Sequence, residues 1–220
     1  MPSLGISQTT HAARVVDHPL AAAKIAILRA KSTSRADFRA AMQELSMVLL
    51  VEAARSWETV NTEVETPLRK SPAKIAAHPV VLVPILRAGL GMLDGILKLL
   101  PDAVVGHVGI YRDEDTLRPV TYFSRLPPNL RSMQVALLDP MLATGNSASA
   151  AVTLLKESGA ENIQLLSIVS CPQGISLLST NHPDVEIITA AVDPELNDFG
   201  FIVPGLGDAG DRYFGTGPAV

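Results

Sequence analysis

Four apolar runs do most to restrict what this chain can become: VVLVPIL at 80–86, QVALLD at 134–139, IQLLSIVS at 163–170 and VEIITAAV at 185–192. A strand with one wet face alternates apolar and polar residues. These runs do not alternate, so both faces of each strand must be covered, as in a parallel sheet. Helical patterns fill the gaps at 88–100, at 147–158 and at 173–180, and Gly159 stands where a helix C-terminus wants glycine. Buried strands alternating with helices predict an α/β fold, a central and mostly parallel sheet flanked by helices. Upstream lie a helical pattern at 20–31 and a longer one that Ser34 can cap, with Phe38, Met42, Leu45, Leu49 and Ala53 at helical spacing. Residues 59–66 read as extended. The stretch 104–112 reads as another strand, paired with 118–123 across the polar loop DEDTL as a hairpin arm.

At 220 residues, with 47% hydrophobic and 18% charged, the chain can bury a full core and is sized for one domain over 1–220, with an irregular N-terminal arm over 1–18. A net charge of -4 argues against a nucleic-acid partner, which calls for a basic excess. The N-terminus has no apolar core of signal-peptide type, and no run approaches the roughly 18 apolar residues of a membrane span. With Cys171 as its single cysteine, no intrachain disulfide can form. The expectation is a cytoplasmic protein with no membrane or nucleic-acid partner. The five histidines share no ligand spacing, and Cys171 follows a buried strand, where a small core thiol fits better than a nucleophile.

Ligands of parallel sheets bind beyond the carboxyl ends of the strands, and the loops there are chemically unusual. After 134–138 come Asp139 and a small-residue turn, Ala143-Thr144-Gly145-Asn146-Ser147, that opens a helix. Free N–H groups at a helix start favour anions, and the hydroxyls of Thr144 and Ser147 add donors. Asp139 would repel a phosphate but can accept hydrogen bonds from sugar hydroxyls. One loop thus offers a ribose grip beside a phosphate cradle. After 80–86 comes Arg87, a fork suited to phosphate, followed by Gly89 and Gly91. Arg112 ends the third strand and can supply a second anion contact if the hairpin folds over the site; the acidic residues Asp113 to Asp115 beyond it read as a solvated tip. Near the C-terminus, four glycines and a proline between Gly200 and Asp211 fix a tight path, with Asp208 and Asp211 set among small residues.

Together DPMLATG-x-S (139–147), VPILRAGLGM (83–92), GIYR-x-E-x-T (109–116) and GLGDAGDR-x-FGT (205–216) resemble the uracil phosphoribosyltransferases, within the type I phosphoribosyltransferase fold. The resemblance runs from about residue 14 to residue 216. The phosphate loop alone points only to the superfamily; the C-terminal segment narrows it to the uracil branch. It implies a small base-binding hood over 200–216. It implies that Asp139, Pro140, Met141, Leu142, Ala143, Thr144, Gly145, Asn146 and Ser147 hold ribose and 5′-phosphate, and that Arg87 and Arg112 contact the diphosphate of phosphoribosyl diphosphate. Ile202, Gly207, Asp208 and Ala209 then meet uracil, largely through backbone. Asp208 also meets the sugar diphosphate, directly or through Mg²⁺ and water, with no direct protein ligand to the ion. The implied catalytic set is Asp139, Arg112 and Asp208, with no obvious general base.

Two departures stand out. Asn146 replaces a second loop glycine, which Asn tolerates better than most residues, and Phe201 stands where a Tyr is expected. The resemblance implies the reaction of uracil with phosphoribosyl diphosphate to give UMP and diphosphate, in a homodimer or larger homo-oligomer. The rivals are a non-catalytic, RNA-binding nucleotide sensor on the same fold, and a transferase for another base.

Overall fold

The apolar runs do form a parallel sheet in the computed structural model, which describes residues 13–112 and 119–217, Arg112 by its backbone only. The chain opens with β1 (Arg14–Val15), α1 (Pro19–Arg29) and α2 (Arg35–Ala53). Ser34 caps α2 through its side chain, which accepts from the Asp37 N–H. A ribbon of β2 (Thr59–Glu65) and β3 (Lys70–Ala76) follows. Then come β4 (Val80–Leu86), α3 (Leu90–Leu99), β5 (Val104–Val105), β6 (His107–Arg112), β7 (Pro119–Arg125) and β8 (Gln134–Leu138). The last third holds β9 (Met141–Leu142), α4 (Asn146–Glu157), β10 (Asn162–Ser170), α5 (Pro172–Asn181) and β11 (Glu186–Val192). It closes with β12 (Glu195–Leu196), β13 (Ile202–Val203) and α6 (Ala209–Phe214).

The sheet runs β1-β11-β10-β8-β4-β6-β7, with β5 beside β4 and β9 beside β10. All these pairings are parallel except β6 with β7. Neighbouring residues of a strand point to opposite sides, so one run feeds two cores. Leu82, Ala136, Leu138 and Leu166 pack with α2 and α3 residues such as Phe38, Leu45 and Met92. Val81, Val135, Leu137 and Leu165 pack with Val152 and Leu155 of α4 and Leu178 of α5. Each fully buried Leu or Val contributes about 1.5–3 kcal/mol of transfer free energy.

Two expectations need correction. Arg14–Val15, expected in the irregular arm, pairs with Ile188–Thr189 and adds a strand at the free edge of β11. The stretch 104–112 is two strands, because Gly106 turns its N–H to Leu82 O, 2.9 Å away, between them. The segment expected to form the hood starts on a short ribbon, in which Ile202–Val203 pairs with Glu195–Leu196. The first 12 residues of the arm and the acidic loop Asp113-Glu114-Asp115-Thr116 lie outside the described residues.

Candidate active site

The topology selects one place on the sheet. From β4 the chain moves by α3 towards β6; from β8 it moves by α4 and α5 towards β10 and β11. The crossovers diverge between the adjacent strands β4 and β8, and a crevice opens at the carboxyl ends of two strands that part this way. Arg87 leaves the end of β4 and Asp139 the end of β8, and both line one cleft of about 230 Å³. Leu142, Ala143, Thr144, Gly145 and Ser147 line the same cleft.

The predicted phosphate loop is stitched to β10 before it turns. Pro140 O accepts from Ile168 and Val169 N–H, Leu142 N–H donates to Ser167 Oγ, and Met141–Leu142 pairs with Val169–Ser170. Gly145 then takes φ 83° as the N-cap of α4, and no side chain caps it, which leaves that helix start open to an anion. Asp139 is partly buried, and burial pushes its carboxyl up to about 6. The Met141 N–H, 3.4 Å from Oδ1, pulls the other way.

Behind the turn, Gly174 in the first turns of α5 lies against the loop backbone. A Cβ there would sit 2.5 Å from Ala143 O and 2.8 Å from Leu142 O. Gly174→Ala should therefore push the phosphate loop off its seat. Overpacking of this kind costs about 1–3 kcal/mol, and a displacement near 1 Å can cost on the order of 10²-fold in rate. The expected result is a lower melting temperature with at least a tenfold rise in KM for the phosphorylated substrate. An unchanged KM would mean that the loop does not depend on α5.

The hood is held by two arginines, Arg29 from α1 and its own Arg212, which reaches back to the end of α1. Arg29 of α1 makes a bidentate pair with Asp193, 2.6 Å on each arm, and donates to Gly205 O at 2.8 Å. Asp193 Oδ2 accepts from Gly205 N–H. Burial alone would raise the Asp193 carboxyl; the Arg29 and Gly205 bonds outweigh it and hold the group below its ordinary range. Arg212 donates to the carbonyls of Leu28, Leu206 and Ala30, and its guanidinium lies 4.3 Å from the centre of the Phe38 ring.

The predicted residues thus divide. Asp139, Arg87 and the 141–147 loop share one cleft. Pro140 is buried, and Asn146 opens α4 without lining the cleft. Gly207 and Asp208 line a second cavity of about 610 Å³, with the α1–α2 turn and Asp211. Ile202 and Ala209 are buried. Asp208 is the N-cap of α6, its Oδ1 accepting from Asp211 N–H at 2.8 Å. The side chain of Arg112 is outside the described residues; its backbone ends β6, next to β4. Among the described residues no three His, Cys, Asp or Glu side chains gather as a metal cage.

Gly174, the Arg29–Asp193 pair and the Arg212 clamp escaped the sequence reading. Asp193 did carry a signal. Like Asp139, it is a lone carboxylate straight after a buried strand.

The family profile described as uracil phosphoribosyltransferase matches residues 15–216. The chain is 50% identical over 202 residues to a uracil phosphoribosyltransferase of Clostridium botulinum (strain Eklund 17B / Type B), covering 91% of this chain and 97% of that one. It is 52% identical over 206 residues to the uracil phosphoribosyltransferase of Lactococcus lactis subsp. cremoris (strain SK11), covering 92% and 98%. Among solved structures, the AQ2163 protein from Aquifex aeolicus superposes with a TM-score of 0.89 at 35% identity, over 94% of this chain and all of the other. Matches of this length and identity, on a sheet whose switch-point cleft holds the predicted phosphate loop, leave one conclusion: the chain belongs to the uracil phosphoribosyltransferase family.

Proposed function

We propose that this chain transfers the phosphoribosyl group of phosphoribosyl diphosphate to N1 of uracil, giving UMP and diphosphate. The observation that carries the reading is the single cleft that Arg87, Asp139 and the predicted phosphate loop line together. The 5′-phosphate sits on the open N-terminus of α4, and Asp139 accepts hydrogen bonds from the ribose hydroxyls. Arg87 and Arg112 bind the diphosphate. As the bond from the ribose carbon to the diphosphate breaks, positive charge grows on the ring and negative charge on the leaving group. The chain's work is positioning and electrostatic stabilisation of both charges. The base lies against the hood, where Ile202, Gly207, Asp208 and Ala209 offer backbone groups.

Mg²⁺ is the expected cofactor. The donor set fits an ion carried by the diphosphate and water rather than by a protein cage, with the exposed carboxylate of Asp208 near its water shell. When bound, it offsets charge on the leaving diphosphate.

The reading takes 1–220 as one catalytic domain with 200–216 as its base-binding segment. It also includes a homodimer or larger homo-oligomer. Among the described residues nothing buries β2, and the β2–β3 ribbon exposes Val60, Val64 and Ile75, with Leu68 in its turn; a lone two-stranded ribbon is marginal in water. A cytoplasmic location is supported by one buried, unpaired cysteine; among the described residues no helix is long and apolar enough to cross a membrane.

The direct test supplies uracil, phosphoribosyl diphosphate and Mg²⁺ and follows UMP and diphosphate by chromatography. Equimolar appearance of both is expected. Uracil left unconsumed by folded protein would overturn the reading.

A further inference from the structure

Arg87 is anchored from the far side of the site. Its Nη2 donates to Asp211 Oδ1 at 3.2 Å, and its Nη1 donates to Thr216 Oγ1 at 3.4 Å. Thr216 in turn donates to the same Asp211 oxygen at 2.6 Å. The anchor itself is firmly set. Asp211 N–H is tied to Asp208, and Asp211 O accepts from Gly215 and Thr216 N–H at 2.7 and 3.3 Å. The Arg87 side chain is 58% exposed, so without this contact a long, flexible guanidinium would sample many rotamers. While so anchored, Arg87 still lines the 230 Å³ cleft. Among the described residues two of its five N–H groups are engaged, and the other three are open to an anion.

We infer that Asp211, with Thr216 bracing it, is a positioning residue that holds the Arg87 guanidinium at the cleft wall, ready for the diphosphate of the incoming sugar. The inference rests on the proposed function and adds to it a residue that none of the substrate contacts above include. Asp211 also lines the 610 Å³ cavity beside Asp208 and Gly207. It is thus the link between the hood and the diphosphate grip.

Two opposite effects can be imagined for the carboxylate. As an orienting partner it spares the substrate the cost of ordering Arg87. As a nearby negative charge it repels the diphosphate. The first prevails here, because the carboxylate is already neutralised by Arg87 and hydrogen-bonded to Thr216, and exposed charges are screened by water and salt.

The test is a double-mutant cycle read by calorimetry, comparing phosphoribosyl diphosphate with UMP, which has no diphosphate. Asp211→Asn should weaken binding of phosphoribosyl diphosphate about two- to fivefold, the range of an exposed charged pair. UMP binding should hold, and kcat should stay within about twofold. In an Arg87→Ala background the same change should have no further effect. Thr216→Val should move binding in the same direction by less. Tighter binding in Asp211→Asn, an equal loss for UMP, or an undiminished loss without Arg87 would each overturn the inference. If the unsubstituted chain makes no UMP at all, it is the proposed function that fails, and the cycle still reports whether Asp211 and Arg87 are coupled in binding.

Discussion

Asp139→Asn is expected to keep the fold and to lower turnover by about 10²-fold or more, as loss of a positioned charged hydrogen bond does in other sites. Asp139 is the one carboxylate among the described residues that line the cleft. Among the described residues one weak backbone contact, at 3.4 Å, engages it, so most of its acceptor capacity is left for a ligand. Asn has the same shape but offers one acceptor where the carboxylate offers two, and no charge against a ribose ring turning positive. The same residue sets a pH dependence. Its carboxyl is pushed up to about 6 by burial, so the accepting carboxylate form is lost as pH falls through that value. The native state then binds more protons than the unfolded chain between about pH 4 and pH 6, and stability declines as pH rises across that window. Asp139→Asn should therefore melt no lower than the parent at pH 7, and its residual kcat/KM should lack the fall below pH 6. Steady-state rates from pH 5 to 8 and thermal melts measure both. Near-normal turnover in a folded variant would remove Asp139 from the ribose site.

The second large effect is base choice. Uracil should be used at least about a hundredfold better than cytosine in kcat/KM. Between Ile202 and Gly207 no side chain carries an amide or hydroxyl, so the base edge must be read by backbone N–H and C=O groups. Uracil presents an acceptor at O4 and a donor at N3; cytosine reverses both. The hood cannot turn its peptides to match. Gly205 takes φ 56°, and a Cβ there would lie 2.1 Å from Ile202 O. Its N–H is bound by Asp193 and its carbonyl by Arg29, while Leu206 O is bound by Arg212. Two mismatched buried groups at about 1–3 kcal/mol each give discrimination on the order of 10³-fold. Orotate should fail as well. Its carboxylate needs a cation, and Arg212, the near candidate in sequence, spends its donors on three carbonyls. Competition assays with the three bases decide the matter; comparable rates on cytosine would show that the hood does not read this edge.

Much of this was legible in the sequence because it depends on local pattern. The four apolar runs became strands within a residue or so, and Ser34 capped α2 as its position suggested. Arg87 and Asp139 were legible because a lone charge after an uninterrupted apolar strand has few places to go but the ligand edge. Strand β3 was not, since Lys70-Ser71-Pro72-Ala73-Lys74 has neither alternation nor a buried face, and only its pairing with β2 makes it extended. The contacts that fix the hood and anchor Arg87 were also out of reach. Apart from the short Gly205–Asp193 and Arg212–Leu206 bonds, they join residues more than a hundred positions apart, and no periodicity records such a meeting.

The Arg29 clamp has a consequence for how the molecule assembles. It closes spans of 164 residues to Asp193 and 176 to Gly205. The phosphate loop, by contrast, is built from sequential crossovers, β8 to β10 and α4 to α5. Chain closure over long spans slows folding more than it weakens the final state. The half of the site proposed to grip the sugar phosphate can therefore form early from neighbouring segments, while the half proposed to read the base waits for the two ends of the chain to meet. A partly folded chain would be a binder of phosphorylated sugars without a preference for any base.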